Sequence, residues 1–359
     1  MKYISNFVYV LILLILFNCK QSSDKYVEFK IQDKSNSVNY LDEDRTQHIT
    51  LKPTNIQGIF TDIAVVDSLL ICGNLRSEKL INIYSLNSNK LINKIISRGN
   101  AQNEGLSIAN IFVGSNRSVW IYDITLSKLF QINIDSSKNI GLIQKEISLA
   151  PKLKNIVSPS IINDSLVLAT TYSFDDFRYL YTDFNKIKKK VGKLPDITND
   201  EFLEDQPNTK FPNRAYIFKA ISIKHPIDNK VAIFYNKTNR AEFYSNDKLS
   251  QAIHYKSKFN PKMYVTKLKK GFSVEDYAKT IYAYLSVAHT KDRIYCLFSG
   301  DKNGNTSSDK ILVYDWEGNF INELSLDRKV SKICINPITE TLYCYDDQIK
   351  SIFSIQVKF

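Results

Sequence analysis

The chain has 359 residues, enough for one large domain or two ordinary ones, and 43% of them are hydrophobic. Tyrosine (21) and phenylalanine (20) are frequent, whereas glycine (11) and proline (9) are too scarce for a collagen-like or linker protein. The net charge of +11 comes from lysines spread along the chain, and the densest run, Lys186–Lys190, is short. Without a basic stripe or a recognisable motif, this pattern argues against a nucleic-acid partner and favours a cationic, solubilising surface.

The N-terminus predicts export. The eleven residues Phe7–Phe17 are all apolar, which matches the core of a secretory signal and is too short for a membrane-spanning helix. The end of this run and the two residues after it, Leu16-Phe17-Asn18-Cys19, resemble the lipobox of bacterial lipoproteins. We therefore predict a signal peptide over residues 1–18 and a lipid on Cys19 that holds the protein at a membrane.

A polar tether is predicted after the lipid, over residues 19–43. Lys20, at the second position of the mature chain, favours the outer membrane as the destination. The alternative is an ordinary signal peptide followed by an incidental cysteine.

The rest of the chain repeats a unit in which a polar turn leads into a β-rich strand. The first apolar residues of successive units are spaced 50, 47, 65, 63 and 48 residues apart; they are Leu69, Val119, Leu166, Val231, Ile294 and Leu342. In the second unit four strands are predicted, at 108–113, 118–122, 128–134 and 142–149. Units of this kind predict an all-β, six-bladed β-propeller of four-stranded antiparallel blades over residues 44–359.

A seven-bladed propeller and a pair of two-sheet sandwiches are the alternative folds. The sixth unit, Val330–Phe359, is one strand short, and we predict that Gln47–Lys52 supplies the missing strand and closes the ring. The propeller is expected to be a monomeric domain.

Several segments also carry a family resemblance. Ser97–Asn100 with Glu104 resembles a G-x-G-P-x-E motif, although this chain lacks the second glycine and the proline of the motif. Trp120–Asp123, Arg293–Gly300 and Ile311–Gly318 follow a matching strand–turn–strand pattern. Together they resemble the TolB-like six-bladed β-propeller lipoproteins of Gram-negative bacteria. The resemblance implies a propeller in the cell envelope and supplies little about activity, because most members are uncharacterised.

The sequence predicts no catalytic residue, metal site or cofactor. Its four histidines lack a second ligand at metal-binding spacing; they are His48, His225, His254 and His289. The loop that begins at Asp301 has oxygen ligands at alternate positions, but Leu312 stands where a calcium loop needs glutamate. Nucleophile-elbow, phosphate-loop and dinucleotide-binding motifs are absent from the sequence.

A propeller can still gather carboxylates from several blades around its channel, where two of them can act as acid and base on a glycosidic bond. Six aspartates are candidates for such a pair: Asp62, Asp123, Asp175, Asp176, Asp346 and Asp347. They support an alternative function, that of a hydrolase or lyase acting on envelope or extracellular polysaccharide.

Four cysteines remain besides Cys19, and an exported compartment permits disulfides. Cys334 and Cys344 are equidistant from Thr339, at the centre of a predicted hairpin turn. The sequence favours two buried thiols at these positions and leaves a disulfide across the hairpin open.

Two segments interrupt the repeat. Pro195–Arg214 is acidic at first and carries Pro207 and Pro212 further on, and Lys267–Tyr284 is an insertion with a short helix predicted at Val274–Ala283. Because long loops in compact folds often bind ligands, we predict a non-catalytic module that binds a protein, peptide or glycan. The predicted contact residues are Asp175, Asp176, Phe177, Arg178, Tyr179, Arg214 and Tyr216.

Overall fold

The computed structural model describes residues 25–28, 31–32, 37–40, 45–114, 117–135, 139–163, 165–172, 177–197, 214–255, 259, 261–267, 273–301 and 304–357. Over these residues the chain is β-structure apart from one short helix, α1 (Arg214–Ile217), and a 3-10 turn at Pro151–Leu153. The predicted signal peptide, Cys19, Asp175 and Asp176 lie outside the described residues.

Five short strands precede the repeat. They are β1 (Lys25–Glu28), β2 (Ile31–Gln32), β3 (Ser37–Tyr40), β4 (Thr46–Ile49) and β5 (Lys52–Gln57). Each of them pairs with a strand far away in the sequence, so this segment runs along the propeller and adds strands to its sheets.

The first three blades follow in chain order. Blade 1 contains β6 (Phe60–Val66), β7 (Leu69–Asn74), β8 (Lys79–Ser85), β9 (Lys90–Arg98) and the short β10 (Glu104–Gly105). Blade 2 contains β11 (Ile108–Val113), β12 (Val119–Asp123), β13 (Lys128–Ile132) and β14 (Ile143–Ser148). Blade 3 contains β15 (Ile156–Asn163), β16 (Leu166–Thr171), β17 (Phe177–Thr182) and β18 (Ile187–Lys193), and β19 (Asp196–Ile197) follows it.

The last three blades contain an insertion between the fourth and the fifth. Blade 4 contains β20 (Ala220–Lys224), β21 (Lys230–Tyr235), β22 (Arg240–Ser245) and β23 (Lys248–Tyr255), and the insertion carries β24 (Lys262–Lys267) and β25 (Ser273–Glu275). Blade 5 contains β26 (Tyr284–His289), β27 (Ile294–Phe298), β28 (Ser308–Tyr314) and β29 (Phe320–Val330). Blade 6 contains β30 (Lys332–Asn336), β31 (Thr341–Asp346) and β32 (Ser351–Gln356).

The six sheets form a closed ring around a central channel. The innermost strands β6, β11, β15, β20, β26 and β30 each contact the next one, and β30 contacts β6. This arrangement confirms the predicted six-bladed propeller, and the seven-bladed and sandwich alternatives are wrong. Closure leaves no blade with an unpacked face, which is why β12 and β27 are buried along their whole length.

Ring closure uses a different strand from the one predicted. The strand that pairs with β32 and completes blade 6 is β5, at Lys52–Gln57, with Phe353 opposite Pro53. Half of the predicted closing strand Gln47–Lys52, namely Gln47–Ile49, belongs instead to β4, which runs parallel to β29 as a fifth strand of blade 5. Both segments are short and β-prone, so their local sequence does not distinguish the two pairings.

Short polar side chains join the innermost strands at three of the blade junctions. The Asp62 carboxylate accepts a hydrogen bond from the Ile111 amide at 2.8 Å, between blades 1 and 2. The Ser222 hydroxyl donates to the Ser158 carbonyl at 2.9 Å, between blades 3 and 4. The Ile333 amide donates to the Ser286 hydroxyl at 3.2 Å, between blades 5 and 6. These bonds satisfy backbone groups that line the channel.

Much of the predicted tether pairs with the propeller. Within residues 19–43, β1 pairs with β24, β2 pairs with β19, and β3 adds a parallel fifth strand to blade 4. The segment therefore differs from the free polar tether that composition predicted, because an unpaired sheet edge can accept any extended segment.

The hairpin cysteines lie on opposite faces of blade 6. In the register of β30 and β31, Cys334 is opposite Tyr343 and Cys344 is opposite Ile333. A shift of one residue points the two side chains to different faces, and each thiol packs in a separate hydrophobic cluster. Cys72, Cys296, Cys334 and Cys344 are all free and buried. The hairpin therefore contains two buried thiols, the alternative that the sequence favoured.

His289 makes the propeller sensitive to acid. Its ring packs edge-on against Trp316, with ring centroids 5.4 Å apart, and burial lowers its pKa to about 4. Below pH 6.5 the unfolded chain binds a proton at this position that the folded chain does not, so the free energy of unfolding falls as the pH drops. Between pH 7 and pH 4.5 we expect a loss of about 2 kcal/mol from this residue.

Denaturant unfolding of the wild type and of His289→Gln at the two pH values measures this contribution. The variant is expected to lose about 2 kcal/mol less than the wild type over the interval. Carboxylates with lowered pKa values, such as Asp327, titrate mainly below this interval and affect both proteins equally. Parallel pH curves for the two proteins would show that His289 is not the acid-sensitive group.

Candidate functional site

One end of the propeller carries the long connections. The innermost strands all run in the same direction, so the connections between blades meet at this end, together with the turns between the second and third strands of each blade. We call it the loop-bearing end. It includes residues 194–219, the turn 236–239 and residues 256–283, of which 198–213, 256–258, 260 and 268–272 are outside the described residues.

A cluster of tyrosine, lysine and glutamate joins three of these segments. Glu275 is 1% exposed, and its carboxylate receives hydrogen bonds from the hydroxyl groups of Tyr216 and Tyr282, the latter at 2.9 Å. The ammonium of Lys237 lies 3.1 Å from the same carboxylate and 3.6 Å from the centre of the Tyr216 ring. Tyr277 lies above them, with its hydroxyl 3.3 Å from that of Tyr216. These five residues are the tyrosine cluster below.

Burial shifts the protonation equilibria of the cluster. Desolvation lowers the pKa of Lys237 to about 8, against the opposing effect of the neighbouring Glu275 carboxylate. Desolvation and the hydrogen bond to Glu275 raise the pKa of Tyr216 well above its usual value. Burial and Glu275 also raise the pKa of Tyr282. Tyr216 and Tyr282 therefore stay neutral hydrogen-bond donors at physiological pH, and Lys237 keeps its positive charge at pH 7.

The cluster has a rigid base and an exposed top. The side chain of Lys237 is 2% exposed, and its ammonium also donates to the Tyr216 carbonyl at 3.2 Å. The Asp276 amide donates to the Tyr264 carbonyl at 2.8 Å, which fixes the insertion next to Glu275. Tyr277, by contrast, is 64% exposed. An exposed aromatic ring held on a fixed base is suited to contact with a partner.

The insertion contains a turn where the sequence predicted a helix. Within Val274–Ala283, β25 ends at Glu275, and the Thr280 amide donates to the Asp276 carbonyl at 3.0 Å to close a single turn. The Asp276 carboxylate caps the turn by accepting from the Ala278 amide at 3.1 Å. Pairing of β25 with β24 takes the residues that would have begun the helix.

The predicted contact residues have different surroundings. Phe177 is 6% exposed and Tyr179 is fully buried, with its hydroxyl bonded to Asp247 at 2.9 Å. Arg178 is paired with Glu242 inside the protein, and its side chain is 10% exposed. Strand β17 packs against neighbouring blades on both faces. Phe177, Arg178 and Tyr179 therefore contribute to packing, whereas the sequence predicted that they would form a contact surface.

Arg214 and Tyr216 lie at the loop-bearing end, as α1 begins. The Arg214 guanidinium donates to the carbonyl groups of Leu194 and Pro195, at 3.0 and 2.5 Å, and thereby holds the two ends of the long connection together. Tyr216 belongs to the tyrosine cluster. The sequence missed Lys237, Glu275, Tyr277 and Tyr282, because nothing in their local sequence indicates that the chain brings them together.

A fully buried ion network lies beneath this end. Glu242 and Arg240 are both 0% exposed, and the Glu242 carboxylate binds the guanidinium groups of Arg240 and Arg178. The hydroxyl groups of Tyr235 and Tyr244 donate to its second oxygen at 2.9 and 2.7 Å. The Glu242 carboxylate thus pairs with two cations and joins blade 3 to blade 4.

Three of the four described aspartates that were considered for catalysis lie at or within turns. Asp123 is fully buried and accepts from the Ser107 and Leu126 amides at 3.0 and 2.8 Å. Asp346 accepts from the Gln348 and Ile349 amides at 2.9 and 3.2 Å, and Asp347 lies within the same turn. Asp62 lies on the channel, 3.9 Å from the ammonium of Lys332, and burial raises its pKa. These contacts give Asp62 a structural role at the junction between blades 1 and 2. They include none of the other described candidate aspartates.

Two searches for other features cover the described residues. None of their histidine, cysteine, aspartate and glutamate side chains form a group of three or more that could hold a metal ion. No helix in the same part of the chain is long and apolar enough to cross a membrane. A shallow groove of about 560 Å³ lies at the opposite end, beside the exposed Arg117–Asp67 ion pair.

Two solved structures that are similar to this chain come from Bacteroides species. A protein of the duf4221 family from Bacteroides vulgatus ATCC 8482 is 11% identical, with a TM-score of 0.53 over 93% of this chain and 98% of that one. A protein described as exported, from Bacteroides fragilis NCTC 9343, is 11% identical, with a TM-score of 0.47 over 95% and 98% of the two chains. No curated protein matches the sequence.

The family assignment comes from the sequence itself. The model of the TolB-like 6-blade propeller-like family matches residues 40–337, which is most of the propeller. The match agrees with the six closed blades and confirms the fold that the resemblance implied. This chain belongs to the TolB-like 6-blade propeller-like family.

Proposed function

We propose that this protein is an exported, lipid-anchored binding module of the cell envelope, which presents its loop-bearing end to a protein, peptide or glycan. The observation that carries the proposal is the tyrosine cluster, in which a buried Lys237–Glu275 pair supports the exposed ring of Tyr277. A rigid aromatic ring gives large contact area at a small cost in conformational entropy.

The surroundings of the carboxylates favour binding over catalysis. A polysaccharide hydrolase needs two carboxylates about 5 to 10 Å apart, one of them free to donate a proton. Asp123 and Asp346 are occupied by turn amides, and Asp62 accepts from Ile111 beside Lys332. Glu275 already receives two tyrosine hydroxyls and one ammonium. A hydrolase or lyase remains the alternative function, and the experiment below distinguishes it from a binding module.

The anchor at Cys19 would set the orientation of this end. Five residues lie between Cys19 and Lys25, where β1 begins, and the six peptide units that join the two residues span at most about 20 Å. β1 pairs with β24, in the same small sheet as the strand that ends at Glu275. A lipid on Cys19 would therefore hold the loop-bearing end near the membrane surface, where a membrane-bound partner is within reach.

Cross-linking in cells, followed by detergent extraction and identification of the captured molecules, tests the proposal. We expect a specific partner with the wild type and at least a tenfold lower yield with Tyr277→Ala, because this change removes the exposed ring at little cost to the fold. Ile338→Ala is the matched control, since Ile338 is 72% exposed at the opposite end. Cys19→Ala should move the protein from the membrane to the soluble fraction.

Each result has a separate meaning. Capture that survives Tyr277→Ala but fails with Ile338→Ala would place the contact surface at the wrong end of the propeller. If Cys19→Ala stays in the membrane fraction, the lipid anchor is wrong. Absence of any partner, together with cleavage of an envelope polysaccharide by the purified protein, would replace the binding module with the enzyme.

A further inference from the structure

The groove of about 560 Å³ at the opposite end of the propeller has a polar lining. It is formed by the end of β13, the residues that follow as far as Asp135, and Gln144 of β14. Two hairpin turns complete it, with Arg117 from blade 2 and Asp67 from blade 1. The groove therefore spans the junction between these two blades. Its volume lies within the range of about 300 to 1,000 Å³ that is typical of ligand-binding pockets.

The ion pair at this junction contributes little to the fold. The Arg117 guanidinium pairs with the Asp67 carboxylate, but the two side chains are 65% and 34% exposed, and solvent screens their attraction. The Arg117 backbone is also left-handed, with φ at +62°, a conformation that hairpin turns usually give to glycine or asparagine. The stability of the fold therefore does not account for an arginine at this position.

Two glutamine side chains in the groove have no hydrogen-bond partner among the described residues. They belong to Gln131 of β13 and Gln144 of β14. Gln144 is the extra residue of a bulge between these strands, which takes its side chain out of the regular alternation. Each carboxamide offers both hydrogen-bond donors and an acceptor. The groove thus presents neutral polar groups beside the charged pair.

The loop after β13 is held in one shape by Asn133, which is 5% exposed. The Asn133 side-chain nitrogen donates to the carbonyl groups of Asp135 and Asn139, at 3.3 and 3.0 Å. Its side-chain oxygen accepts from the Asp135 amide at 3.2 Å. These bonds fix the backbone of Asp135 at the groove, and a preorganised site loses less conformational entropy when a ligand binds.

We propose that this groove binds a neutral saccharide, whose hydroxyl groups contact Arg117, Asp67, Gln131 and Gln144. A sugar hydroxyl both donates and accepts hydrogen bonds, which matches a lining of carboxamides, carboxylates and a guanidinium. The carboxylates of Asp67 and Asp135 disfavour an anionic ligand such as phosphate. The groove lies away from the loop-bearing end, so its ligand is separate from the partner proposed above.

Calorimetric titration of the full-length protein at pH 7 tests the site, in a detergent without a sugar headgroup such as lauryldimethylamine oxide. The probes are glucose, galactose, mannose, N-acetylglucosamine, maltose, lactose and chitobiose, with glucuronate and inorganic phosphate as anionic comparisons. We expect at least one neutral sugar to bind with a stoichiometry of one and to raise the melting temperature. Binding of none of the neutral sugars, or tighter binding of either anion, would overturn the proposal.

Arg117→Asn should weaken sugar binding at least tenfold. The melting temperature of the free variant should stay the same or rise, because asparagine tolerates the left-handed backbone. Lys350→Asn is the matched control, since Lys350 is also exposed and left-handed, with φ at +59°, but lies in the turn between β31 and β32 at the loop-bearing end. It should bind as the wild type does. Equal binding by both variants, or equal loss in both, would show that the groove is not the site.

Gln144→Ala separates contact with the sugar from any structural role of Arg117. The change should weaken binding at least tenfold at an unchanged melting temperature, because it removes an exposed side chain without a partner in the described part of the chain. Gln348→Ala, at an exposed position of the loop-bearing end, is the control and should have no effect. Wild-type binding by Gln144→Ala would overturn the site. Partner capture through Tyr277 is independent of either result.

Discussion

Glu242→Gln is expected to lower the free energy of unfolding by about 3 to 5 kcal/mol. The substitution keeps the shape of the side chain and removes the negative charge that pairs with Arg178 and Arg240. Both partners of the Arg240–Glu242 pair are fully buried, so water cannot replace the lost charge. The loss is large compared with the 5 to 15 kcal/mol that stabilises an ordinary domain.

Chemical denaturation of the wild type and the variant measures the loss. Glu317→Gln is the matched control, because Glu317 forms a 2.5 Å ion pair with Lys230 but is 58% exposed. Because solvent screens that pair, the free energy of unfolding of the control should fall by less than about 1 kcal/mol. Equal losses in the two variants would show that burial does not determine the strength of the network.

A double variant separates the charge from the packing. Adding Arg178→Met to Glu242→Gln removes one of the two cations that pair with Glu242 and keeps an apolar chain of similar length. We expect the double variant to be more stable than the sum of the single changes predicts, since the two residues share one network. Simple additivity would mean that the ion pair is not the source of the effect.

Replacement of residues 52–57 by a glycine–serine sequence of equal length is expected to abolish cooperative unfolding. These residues form β5, the strand that completes blade 6. The replacement removes Ile56, which is 1% exposed, and the bond from the Thr54 hydroxyl to the Ile352 carbonyl at 2.9 Å. It also exposes the edge of β32, so blade 6 can no longer hold the two ends of the ring together.

The matched control replaces residues 46–49, the strand β4, in the same way. β4 lies outside a complete four-stranded blade, and its residues are mostly exposed. We expect a single sharp thermal transition for this control and a broad, early transition for the β5 replacement. If the control is the one that loses cooperativity, ring closure depends on β4, as the sequence predicted.

The sequence by itself determined the repeat, the strands and the fold class. Strand 118–122 was predicted within one residue of β12, at Val119–Asp123, because β-prone residues and polar turns are local signals. The spacing of the six units then favoured a propeller over a pair of sandwiches, and one missing strand pointed to closure by an N-terminal segment. These features depend on residues next to one another in the chain.

Tertiary structure decided which partners those elements have. β5 and β4 are adjacent and similar, and only pairing with strands about 300 residues away assigns one to blade 6 and the other to blade 5. The same holds for the one-residue offset between Cys334 and Cys344, and for the burial of Tyr179. Lys237 and Glu275 are 38 residues apart and meet only because a connection folds back over a turn. Long-range contacts of this kind leave no local pattern in the sequence, since their energy comes from packing, burial and charge compensation between distant segments.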